Sequence, residues 1–183
     1  MIARIGAETE KLFRDALGHG ARVELDDLDQ VLDSMSDKQL LDSAELCRVT
    51  TSYAVIYICG RNWPDEENRR GIAETAATYG TLAKKRGLTV QEAYDFVTRV
   101  CIRLEPPHLV FPDGHTALRV AFLTTVGILV AYRPEGKHWW EWLDGIENAL
   151  EIAWAADLDL LPALMVRSRQ ETAEAEARAA PSQ

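Results

Sequence analysis

His108, Asp113 and His115 fall within eight residues of one another, with Glu105 close by. Imidazole and carboxylate together suit zinc or iron. Their spacing matches no standard metal site, however, and the stretch also holds Pro106, Pro107 and Pro112. The plainer reading makes Asp113 a helix cap, starts a helix near His115 and leaves His108 in solvent. Glu135 and His138 show the ExxH spacing of di-iron bundles, which need two such motifs and two further glutamates. The other Glu-x-x-His, Glu105 to His108, encloses Pro106 and Pro107 and does not suit a helix interior, so no helical pair of motifs forms and Glu135 reads as a carboxylate at a helix start. No metal and no cofactor is expected. His108, Asp113 and His115 stand as the only candidates for one.

Nucleophile and phosphate motifs are missing. The chain has no Gly-x-Ser-x-Gly, no P-loop and no Gly-x-Gly-x-x-Gly. Paired carboxylates are numerous (Asp26-Asp27, Asp65-Glu66-Glu67, Glu147 and Glu151), but they sit at helix starts or on polar faces. A catalytic acid needs burial or a neighbour that moves its pKa, and no pattern supplies either. Cys47, Cys59 and Cys101 are odd in number and lack CxxC spacing, which reads as reduced core thiols in a cytoplasmic protein.

Two residue sets are informative without being catalytic. Trp139, Trp142 and Trp154 fall within about 60° of one apolar stripe when each residue advances about 100° around a helix. Trp140 falls about 100° away, beside Asp144, Glu147 and Glu151. An indole on a polar face is typical of a contact surface. Trp140, Trp63, Glu147 and Glu151 are therefore the expected interface residues. The second set is hydroxylated: Thr50, Tyr53, Tyr57, Tyr79, Thr124 and Thr125 lie inside apolar segments. Buried hydroxyls usually bond back to their own helix. The sharper reading is an interhelical pocket, apolar with a few polar tips.

The elements that must hold these residues are helical throughout. Apolar residues recur at three- and four-residue steps, and no Asn-Gly or Asp-Gly hairpin lies between alternating runs. Helices are expected over about 3–17, ending at Gly18, and over 25–35. A third runs from a capping box at Ser36–Gln39 to Cys59 and Gly60. The fourth runs from Pro64, in the first helical position, to Lys84, Lys85 and Arg86. A second capping box at Thr89–Glu92 opens one over 90–104. The last three are expected over 117–132, over 137–156 and after Asp159. The fold class is all-α: a single compact bundle of about eight helices, with the third and sixth apolar and central. The domain is expected over 1–168, with 169–183 a polar, frayed tail.

The 183 residues are 47% hydrophobic with a formal charge of −9. That apolar content excludes disorder for most of the chain, and the acidic balance disfavours nucleic acid and anionic membranes. The longest apolar run, 117–132, spans 16 residues and contains Arg119, short of the roughly 20 needed to cross a bilayer. Glu8, Glu10 and Lys11 interrupt the first twelve residues, so no signal peptide is expected. The expected function is a non-enzymatic binding protein that self-associates or takes a basic protein partner. The alternative is a carrier or sensor of a small apolar ligand in the hydroxyl-lined pocket. A second alternative is a metal-dependent enzyme using His108, Asp113 and His115.

Overall fold

The computed structural model describes residues 5–60, 64–80, 83–85, 87–101 and 114–155. Among these the chain is all-α, in seven helices: α1 (Ala7–Arg22), α2 (Leu25–Ser34), α3 (Asp37–Ile58), α4 (Glu66–Thr78), α5 (Val90–Cys101), α6 (Gly114–Tyr132) and α7 (Trp139–Ala155). The eighth expected helix and the tail lie outside the described residues.

Local chemistry accounts for most boundaries. Ser36 caps α3 by accepting from the Gln39 amide, and Gln39 Oε1 in turn accepts from the Ser36 amide at 2.8 Å. Thr89 and Glu92 repeat that exchange at α5. Each pairing satisfies amides that the first helical turn leaves unbonded.

Several boundaries differ from expectation, those of α1 and α4 the most. Helix α1 runs through Gly18 and Gly20 to Arg22. Gly20 is a packing residue, because a Cβ there would lie 3.3 Å from Val126 of α6. The helix ends in a Schellman motif: the Val23 amide donates to Gly20 at 3.2 Å and the Glu24 amide to His19 at 3.0 Å. Val23 takes the left-handed conformation this requires, with φ 61°. Helix α4 is shorter than expected. Asp65, not Pro64, provides its start by accepting from the Asn68 amide at 2.8 Å. It ends at Thr78, before Gly80 at φ 86°, and 83–85 form a separate 3-10 turn.

Helix α6 is the centre, packed against α1, α2, α3, α4, α5 and α7. It is long and apolar enough to cross a membrane by length and composition, but 61% of its His115–Tyr132 stretch is buried inside the bundle. Phe122 meets Phe13 of α1 with ring centroids 5.5 Å apart. Gly127 lets α4 approach: a Cβ there would lie 2.5 Å from the Ala76 carbonyl oxygen. Arg119, the charged residue in the apolar run, reaches Asp29 of α2 at 2.9 Å. Helix α7 closes one side against α6 and α3.

Candidate functional site

Helix α7 begins with a turn that fixes its first two side chains. The Lys137 amide bonds to the Pro134 carbonyl at 3.1 Å, and Gly136 takes φ 77°. The His138 amide then donates to Glu141 Oε2 at 2.7 Å, tying down the first helical turn. The His138 ring stacks on Trp140 with centroids 4.1 Å apart and planes 7° from parallel. Trp139 stands nearly perpendicular to Trp140, at 5.9 Å and 85°. Trp142 is buried, Trp139 is half-buried against the core, and Trp140 is 45% exposed.

These two indoles and Leu143 form one wall of a cleft of about 280 Å³. The opposite wall is one face of α1, where Arg14, Asp15, Gly18, His19 and Arg22 recur at helical spacing. Arg14 ties the walls together. It donates to Asp144 at 2.8 Å and to Glu147, both on α7, and lies 3.6 Å from Glu10 on its own helix. Burial disfavours the Arg14 charge, but the bond to Asp144 and the charge of Glu147 outweigh it and raise its pKa. Glu147 is the converse case. Its side chain is 8% exposed, and burial lifts its pKa to about 7 despite Arg14.

The rim is shaped by the left-handed Val23. That turn folds Glu24 back onto His19 Nδ1 at 2.8 Å, with Asp27 at 3.9 Å. Arg22 Nε donates to the same Glu24 oxygen at 2.8 Å, and the bonds from Arg22 and His19 lower the Glu24 pKa. His19, Glu24 and Asp27 each bring one ligand-type atom within 4.8 Å of the others. The Arg22 guanidinium, also 3.3 Å from His19 Nδ1, already supplies positive charge to this group.

Two guanidiniums and one carboxylate line the cleft, and further carboxyl groups surround it. The guanidiniums of Arg14 and Arg22 stand against the carboxyl groups of Glu10, Asp15, Glu24, Asp27, Asp144 and Glu147. Both guanidiniums are held by carboxylates. Asp15 is exposed and has no hydrogen bond or ion pair among the described residues. The site can therefore offer aromatic faces and an unspent negative charge.

The residues singled out from sequence are dispersed. Trp140 lines the cleft, whereas Trp63 lies outside the described residues. Glu147, expected on an exposed interface, is buried instead, because Arg14 draws its carboxylate between α1 and α7. Glu151 is half-buried. Trp154 belongs to α7, but its side chain is outside the described set. The hydroxylated set does not line this cleft. Tyr57 is 52% exposed and packs against Trp142 at 5.6 Å, and Tyr79 is exposed at the end of α4. Tyr53 is half-buried against the core. Thr50, Thr124 and Thr125 are buried, and Thr125 bonds to Thr51 at 3.0 Å and to the Ala121 carbonyl at 2.7 Å. Thr50 and Thr124 hydroxyls have no hydrogen bond among the described residues. His108 and Asp113 are outside the described residues, while His115 Nε2 lies 3.1 Å from Asp33 of α2.

Arg14, Asp15, His19 and Arg22 were not expected at a site. Helical spacing places them on one face of α1, but the juxtaposition of that face with Trp139 and Trp140 depends on tertiary packing. Comparison with protein-family models, with curated proteins and with solved structures gave no match.

Proposed function

We propose that this chain is a non-catalytic helical binding protein that takes a basic protein partner at the α1/α7 cleft. The observation that carries this reading is Trp140: a large aromatic left 45% exposed on a cleft wall, facing a helix whose Asp15 has no ion pair among the described residues. Tryptophan is among the side chains enriched at the hot spots of protein contacts, where a partner desolvates it. Excess negative charge speeds encounter with a basic surface. The same charge argues against a second copy as the partner, because each copy carries −9 and the two repel.

The test is titration of the full chain with an arginine-rich peptide and with an acidic peptide of equal length, followed by tryptophan fluorescence. The basic peptide is expected to bind, more weakly as salt rises. Trp140→Ala is expected to weaken binding at least tenfold, in the range of a contact hot spot at about 1.4 kcal/mol or more. Equal response to both peptides, or an unaffected Trp140→Ala variant, contradicts the reading.

A further inference from the structure

Resting on that reading, we infer that the cleft is a receptor for one arginine side chain of the partner, its guanidinium laid on the Trp139–Trp140 corner and paired with Asp15. Three observations converge on this chemistry. The first is the shape of the aromatic corner. His138 stacks on one face of Trp140 and Trp139 stands perpendicular to it, so the two indoles make an aromatic corner on the cleft wall. A cation over an indole is attracted by the ring quadrupole, and tryptophan is the strongest such partner.

The second is charge. Arg14 and Arg22 line the cleft, but Arg14 is held by Asp144 and Glu147 and Arg22 by Glu24. Among the described residues the Asp15 carboxylate has no hydrogen bond or ion pair. An incoming anion would have to displace one of these ion pairs, whereas an incoming cation meets in Asp15 a carboxylate without a partner among the described residues. A guanidinium suits the place better than an ammonium. It is flat enough to stack, weakly hydrated, and able to fork two N–H groups onto a carboxylate.

The third is size. At about 280 Å³ the cleft falls at or below the lower end of the usual range for drug-sized ligands, roughly 300–1,000 Å³. It has room for one long side chain. Gly18 in the α1 wall is overlain by the Arg22 guanidinium, 3.4 Å from where a Cβ would stand, so the space is bounded there by side chain rather than by backbone.

The experiment uses the full chain, an arginine-rich peptide, a lysine-rich peptide of equal length and charge, ethylguanidinium chloride and sodium benzoate. The arginine peptide is expected to bind more tightly than the lysine peptide, and ethylguanidinium to compete with it. Asp15→Asn, a change at an exposed position, is expected to weaken arginine-peptide binding about fivefold to tenfold while leaving the melting temperature unchanged. If both peptides bind equally, ethylguanidinium does not compete and Asp15→Asn is silent, the arginine receptor is overturned. Loss of binding in Trp140→Ala would then still uphold the broader reading. Competition by benzoate instead of ethylguanidinium makes the cleft an anion site and overturns the inference. If neither peptide binds, the partner reading fails together with it.

Discussion

Arg14 of α1 and Asp144 of α7 share a 2.8 Å hydrogen bond that spans 130 residues of chain and pins one wall of the cleft to the other. The same guanidinium holds Glu147, so three carboxyl groups, Glu10 included, depend on one cation.

That arrangement makes stability depend on pH. The Glu147 carboxyl is raised by burial to about 7 from an ordinary 4.5, against the pull of Arg14 and with Glu10 and Asp144 adding to the rise. Between those values the folded state holds a proton that the unfolded state has lost. The group's contribution is thus full below about pH 4.5 and is lost as pH climbs through 7, by on the order of 1–3 kcal/mol. Glu147→Gln is expected to flatten this slope and to melt above the parent at pH 8. Thermal melts of both proteins from pH 5 to 8.5 check it, and parallel curves contradict it.

Gly127→Ala is expected to destabilise by about 1–3 kcal/mol or more, because its Cβ would meet the Ala76 carbonyl oxygen at 2.5 Å and α4 would have to move. Gly71→Ala is the control. It sits in α4 with nothing within 4 Å of a new Cβ, and is expected to stabilise by about 0.4–1 kcal/mol. Urea denaturation of the two variants should shift in opposite directions.

Thr51 and Thr125 join α3 to α6 through one buried hydrogen bond. Either single change to valine should cost about 1–3 kcal/mol by leaving a buried hydroxyl with one bond fewer, while the double change should cost less than the sum. A double-mutant cycle by denaturant melts reads the coupling directly.

The thiols should separate by reactivity. Burial pushes Cys47 well above the normal thiol range and Cys101 to about 12, and raises Cys59, which is only half-buried. Because the thiolate is the reactive form, iodoacetamide at pH 8 should label Cys59 first and Cys47 last in the native protein. In denaturant all three should react alike, and mass mapping of labelled peptides distinguishes the two patterns.

Much of the bundle was legible because its signals are local. The exchanges at Ser36–Gln39 and Thr89–Glu92 need only a four-residue window. The centrality of α6 follows from an apolar run with a single charge. Glycine was the ambiguous letter. Gly18 read as a stop although α1 passes through it, whereas the real terminus uses Val23, a β-branched residue that avoids positive φ unless tertiary packing imposes it. Gly80 turns the chain after α4 at φ 86°, while Gly127 makes the close approach between α6 and α4. The cleft was only half legible. Trp140 stood out by its angle on α7, but its partners on α1 lie well over a hundred residues away, beyond any periodicity argument. Glu147 looked exposed by the same angle and was drawn inward by Arg14.

The most direct measurement is chemical-shift mapping on the full ¹⁵N-labelled chain during titration with the arginine-rich peptide. The account predicts that the largest shifts fall on the indole N–H signals of Trp139 and Trp140 and on the amides of Asp15 and His19, with Trp142 unmoved. Shifts confined to another face of the bundle, or none at all, would contradict it.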